Sequence, residues 1–196
     1  MASAIPVLLA LPLSVELLAR RMQLAPETLR KLAHIGGALL AVPLPLLLTY
    51  REIAGLGLVF AAIMAVSLRL SIFAAVHGVE RASHGEVFFP LGVAGLAMFF
   101  PDWTAYMYGV LVLGLADGLA ALVGTRYGRR KIVHGKSVWG CATFFAVAYA
   151  VGIALQVPPS TTLVIAASAT AVEAMSRHGF DNIAVPLVVG LLVTVI

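Results

Sequence analysis

Long apolar runs, parted only by short charged or proline-containing connections, take up nearly the whole of this chain. They fall near 2–19, 33–49, 53–70, 86–100, 103–124, 138–156, 160–176 and 183–196, and most approach the roughly 20 residues one helix needs to cross a hydrocarbon layer. The pattern predicts an all-α, polytopic transmembrane bundle of about eight helices, within a range of seven to nine, forming a single domain over 1–196. Composition agrees: 61% hydrophobic residues, 11% charged and a mean hydropathy of +1.02 lie far outside the soluble globular range. Runs 87–100 and 183–196 are short for a full crossing and are expected to tilt or to be partly re-entrant.

Charge placement orients the bundle. Twelve of the thirteen Lys and Arg, from Arg20 and Arg21 through to Arg177, border the connections after the first, third, fifth and seventh runs, and Arg51 stands alone on the other side. The positive-inside rule then places both termini outside and the charged loops, with any active face, in the cytoplasm of an integral inner-membrane protein. The net charge of +4 follows from the same rule, and no nucleic-acid partner is expected. The first run lacks a basic segment before it and contains Pro6, Pro12 and Glu16, so it reads as a retained helix. Pro26 and Glu27 suit a first helical turn, making 25–31 an interfacial lead into the second run, which Pro43 and Pro45 are expected to kink. Residues 157–160 form a tight external turn, and glycines such as Gly92, Gly114 and Gly118 suit close helix packing. The lone Cys141 excludes an intramolecular disulfide and a cysteine-based metal site and reads as a packing residue.

Against this apolar background the polar exceptions carry the chemistry. Residues 115–140, LADGLAALVGTRYGRRKIVHGKSVWG, take Asp117 from an apolar run into a glycine-rich basic loop. An ionised carboxylate at or near hydrocarbon depth is costly, and beside Arg129, Arg130, Lys131 and Lys136 it points to a cationic or phosphate ligand. Gly118 leaves room for a ligand to approach the backbone, while Gly124, Gly128 and Gly135 allow amides to face phosphate. Gly135-Lys136-Ser137 resembles the tail of a P-loop, but Arg130 stands where that motif needs glycine. Lys31 and His34 share a helix face; Lys31 also reads as a snorkelling interfacial residue, and His34 needs a hydrogen-bond partner and can act as a general base. Glu86 suits a helix start, and His77 and His84 read as solvated. Glu173 and Asp181-Asn182 lie on the same side of the membrane as Asp117; capping explains Asn182, but the acids match the hard oxygen ligands of magnesium at nucleotide sites. No His or Cys cluster suits a transition metal.

Taken in order, RKLAHIGG, GEVFFPLG, LADGLAALVGTRYGRRK with GKSVWG, then Glu173, Asp181-Asn182 and Pro186 resemble the family of CTP-dependent lipid-alcohol kinases that includes dolichol kinase, phytol kinase and the CTP-dependent diacylglycerol kinase. The resemblance covers about residues 30 to 187. It implies transfer of the γ-phosphoryl group of CTP to the hydroxyl of an isoprenoid or other lipid alcohol, with Mg2+. Asp117, Lys136, Ser137, Glu173, Asp181 and Asn182 would form the nucleotide and metal site, the metal falling to Asp117, Glu173 and Asp181. Gly118, Gly124, Arg129 and Lys131 would attend the nucleotide, and Lys31 and His34 would meet the triphosphate or the substrate hydroxyl. The chain lacks the additional N-terminal helices of the larger dolichol kinases, which favours a shorter prenol such as phytol, geranylgeraniol or farnesol over a long polyprenol.

Two other readings stand beside this one. A phosphatidate cytidylyltransferase would release pyrophosphate and make a CDP-lipid, although its C-terminal signature with paired aspartates is not seen here. A small anion transporter would couple Asp117 and Glu173 to protons or sodium, but there is no internal repeat and the polar groups gather on one side.

Overall fold

A computed structural model describes residues 26–70 and 84–196, with Ala10, Ser14 and Arg21 singly. Among the described residues the chain forms seven long helices and no strand: α1 Pro26–Ala41, α2 Tyr50–Arg69, α3 Gly85–Phe99, α4 Trp103–Tyr127, α5 Val138–Ala154, α6 Pro159–Met175 and α7 Asp181–Val195. These correspond to the second through eighth apolar runs. The run near 2–19, and the connection holding His77 and Arg81, lie outside the described residues. Two helices, α2 and α4, are long and apolar enough to cross a membrane; α3 and α7, from the runs read as short, have 15 residues each.

Local chemistry sets the helix ends. α1 starts at Pro26, whose fixed φ suits a first turn, so the expected interfacial lead is continuous with the helix. Pro43 and Pro45 do not kink a longer helix: α1 ends at Ala41, because rings without amide hydrogens cannot extend the ladder, and a single turn Leu44–Leu47 follows. Thr49 and Glu52 then form a capping box that starts α2. Asp102 caps α4 by accepting from the Ala105 amide at 2.9 Å, and Ser137 caps α5 by accepting from the Gly140 amide at 3.0 Å.

α4 runs through the middle of the bundle, in contact with α1, α3, α5 and α7. The buried hydroxyls of Tyr106 and Tyr108 donate to the carbonyls of Ala41 and Ala148, tying α4 to its neighbours by bonds worth about 1 kcal/mol each. Halfway along, Val112–Ala116 widens into a π-helical turn, a device often found beside functional sites. Gly114 in that turn touches α1 so closely that a Cβ there would lie 2.0 Å from the Ala38 Cβ. Successive helices alternate in direction, which gathers the starts of α1, α3, α5 and α7 and the ends of α4 and α6 at one end of the bundle. Asp117 follows the π turn ten residues before the end of α4, so its carboxylate is recessed by roughly 15 Å of helix rise.

Candidate active site

The deepest layer joins α1 to α4 and α7. Lys31 donates to Asp117 Oδ2 at 2.5 Å, and both side chains are only 7% exposed. One turn further along α1, the buried His34 ring lies 2.7 Å from Asn182 Oδ1 and edge-on to Phe89. Asn182 Nδ2 donates to the Gly85 carbonyl at 3.2 Å, which turns Oδ1 towards His34 and makes Nε2 the ring nitrogen that carries hydrogen. Asn182 therefore does not cap α7. It lies in the first turn, with Phe180 at the cap position, and its amide clasps α1 and α3 instead. Gly92 allows this: a Cβ there would lie 2.1 Å from the Asn182 carbonyl oxygen.

Above that layer the loop between α4 and α5 folds back on itself. Lys131 bridges Ser137, and Lys136 N donates to the Val133 carbonyl across a turn whose central residues, His134 and Gly135, both have positive φ, 53° and 80°. Glycine meets that need at no steric cost, while His134 is held there by its partner, accepting at Nδ1 from Arg177 Nε at 2.8 Å. The turn delivers Lys136 to the end of α6 and the start of α7, where its ammonium donates to Glu173 and, at 3.2 Å, to Asp181. Burial works against this charge, but Glu173 first, then Asp181 and Asp117, outweigh it and hold the lysine well above its usual range.

Asp117, Glu173 and Asp181 thus converge from α4, α6 and α7, with one oxygen of each within 4.8 Å of the others. Three hard oxygen donors at that spacing, with no histidine or thiolate among them, fit a magnesium ion that keeps some of its shell for phosphate and water. They border an open cavity of about 600 Å³. Arg30, Lys31, Lys131, Lys136 and Arg177 also line it, so basic side chains outnumber the carboxylates among the described lining residues.

Most expected site residues meet here: Lys31, Asp117, Gly124, Lys131, Lys136, Ser137, Glu173, Asp181 and Asn182 all line the cavity. Three do not. Gly118 faces α1, where a Cβ would strike the Ile35 side chain at 2.6 Å, so its smallness serves helix packing and leaves no approach for a ligand. Arg129 is exposed on the loop and does not line the cavity, whereas Lys131 does. His34 sits behind Asn182, placed to orient that amide. Ser137 lines the cavity, but its hydroxyl already caps α5. Cys141, read as a packing residue, also borders the cavity, with Sγ 3.9 Å from Glu173. Sequence reasoning missed His134 and Arg177 as cavity residues; the dipeptides His134-Gly135 and His178-Gly179, both with positive φ, were the available signal.

The chain is 36% identical over 197 aligned positions to phytol kinase from Synechocystis sp., an alignment covering 91% of this chain and 83% of that protein. No protein-family profile and no solved structure matches it.

Proposed function

The chain belongs to the lipid-alcohol kinase family of phytol kinase, and from that premise we propose that it is an integral membrane kinase that transfers the γ-phosphoryl group of CTP to an isoprenoid alcohol. The observation that carries the reading is the carboxylate triad of Asp117, Glu173 and Asp181 within a cavity of excess positive charge. A magnesium–nucleoside triphosphate complex brings about two negative charges, which a lining richer in basic than in acidic side chains complements. Magnesium held by Asp117, Glu173 and Asp181 would supply neutralisation of charge on the β- and γ-phosphate oxygens.

The remaining tasks fall to this chain's own side chains. Lys131, Lys136, Arg30 and Arg177 bind phosphate oxygens from the cavity wall, and Lys31 holds Asp117 in place. His34 and Gly85 fix the Asn182 amide at the cavity edge. The alcohol oxygen bonds to the γ-phosphorus while the β–γ bridging P–O bond breaks, giving the lipid monophosphate, CDP and a proton. Phosphoryl transfer asks for positioning and charge stabilisation above all, and a recessed, cation-lined site offers both.

A bilayer setting is supported by α2 and α4 and by large apolar side chains that face outward, among them Leu58, Val59, Val66, Leu163, Val164 and Leu191. Along the sequence, twelve of the thirteen basic residues border the connections of one side, which supports a cavity opening to the cytoplasm of the inner membrane with both termini outside. The resemblance of the ordered motifs supports CTP as donor and phytol, geranylgeraniol or farnesol as acceptor, and the relative's name supports phytol.

The deciding experiment offers purified protein CTP, ATP, GTP and UTP with phytol, farnesol, undecaprenol and diacylglycerol. Lipid monophosphate and CDP are expected. If no nucleotide yields a lipid phosphate the proposal fails, and pyrophosphate with a CDP-lipid would instead identify a cytidylyltransferase.

A further inference from the structure

Each acid of the triad already holds an ammonium: Lys31 is on Asp117, and Lys136 lies between Glu173 and Asp181. The two lysines are mounted differently. Lys31 projects from a helix, and its side chain is 7% exposed, so its position is fixed by packing. Lys136 stands on the turn after Gly135, is 27% exposed, and its flexible four-carbon stem opens onto the cavity.

We infer that Lys136 occupies the cation position between Glu173 and Asp181 in the nucleotide-free protein and yields it only when metal and triphosphate arrive as one complex. This rests on the kinase reading above. A bare divalent ion must drive off an ammonium that gains no new partner, whereas a metal–triphosphate complex provides the displaced lysine with phosphate oxygens within reach of the same stem. The substrate that binds productively is then the metal–nucleotide complex, and metal alone is kept out. The exchange breaks no covalent bond and moves no proton, because the lysine stays charged throughout.

Mn2+ retained with the protein in equilibrium dialysis, which leaves out the Mn2+ chelated by free CTP, tests this without turnover. Wild type, Lys136→Met, Lys136→Gln and Lys136→Arg are titrated with Mn2+ alone and with Mn2+ plus CTP, no alcohol being present. The methionine and glutamine variants should bind Mn2+ alone at least tenfold more tightly than wild type, the arginine variant no more tightly, and wild type should bind tightly only with CTP. Far-UV circular dichroism checks the fold of each protein, and if the methionine variant is misfolded the glutamine variant decides. Equal affinity for Mn2+ alone in wild type and the neutral variants, with CTP-dependent binding intact, overturns the inference and leaves the kinase reading standing. Wild type that binds no Mn2+ even with CTP overturns both.

Discussion

The Lys31–Asp117 pair gives the most quantitative test of the site. Both side chains are only 7% exposed, so removing either one strands the other's charge in a poorly hydrated environment. Breaking a buried pair in this way costs about 3–5 kcal/mol, against at most about 1 kcal/mol for a surface pair. In a chain of this length each kcal/mol moves the melting temperature by about 2–4 °C, so Lys31→Met and Asp117→Ala should each lower it by roughly 6–20 °C. The double variant removes both charges together and should be no less stable than either single variant, giving a coupling energy of at least about 3 kcal/mol in a double-mutant cycle, although it has no turnover. Thermal unfolding of the purified protein in detergent, followed by far-UV circular dichroism without metal or nucleotide, supplies all four corners. Single variants within about 4 °C of wild type, or a double variant as unstable as the two losses added, would refute the buried-pair argument.

Lys136→Ala and Asp117→Asn should each abolish lipid phosphate formation while the protein stays folded in detergent; normal turnover in Asp117→Asn would remove that residue from the metal site. Gly114→Val places branched carbon where even a Cβ lies 2.0 Å from Ala38, so α1 must move off the π turn, at a cost of about 1–3 kcal/mol read as a lower melting temperature. Arg51→Ala alters an exposed residue at the far end of the bundle and should leave turnover unchanged and stability within about 0.5 kcal/mol; a clear activity loss would contradict the one-ended site. Because its carboxylate partners raise Lys136 above its ordinary 10.5, the stability it contributes is complete below that pH and fades as pH rises through the higher folded value. Wild-type melting temperature should therefore show no Lys136-dependent decline between pH 7 and 10, and a decline abolished in Lys136→Ala would count against the pairing.

The sequence by itself determined the elements and the side on which the polar groups lie. Apolar runs and proline or glycine punctuation are local, and basic residues sort by loop, so seven of the expected helices and the grouping of Asp117, Lys136, Glu173 and Asp181 could be read along the chain. Tertiary structure alone decided what each polar group touches. His34 and Asn182 are 148 positions apart, and nothing local to either shows that the histidine orients an amide. Gly118 and Arg129 carried the right residue types in the right stretch, yet helix phase turns one onto α1 and loop geometry leaves the other outside the cavity. Residue type and spacing set which charges exist and at which end of the bundle, while the pairing of three acids with two lysines depends on how seven helices pack.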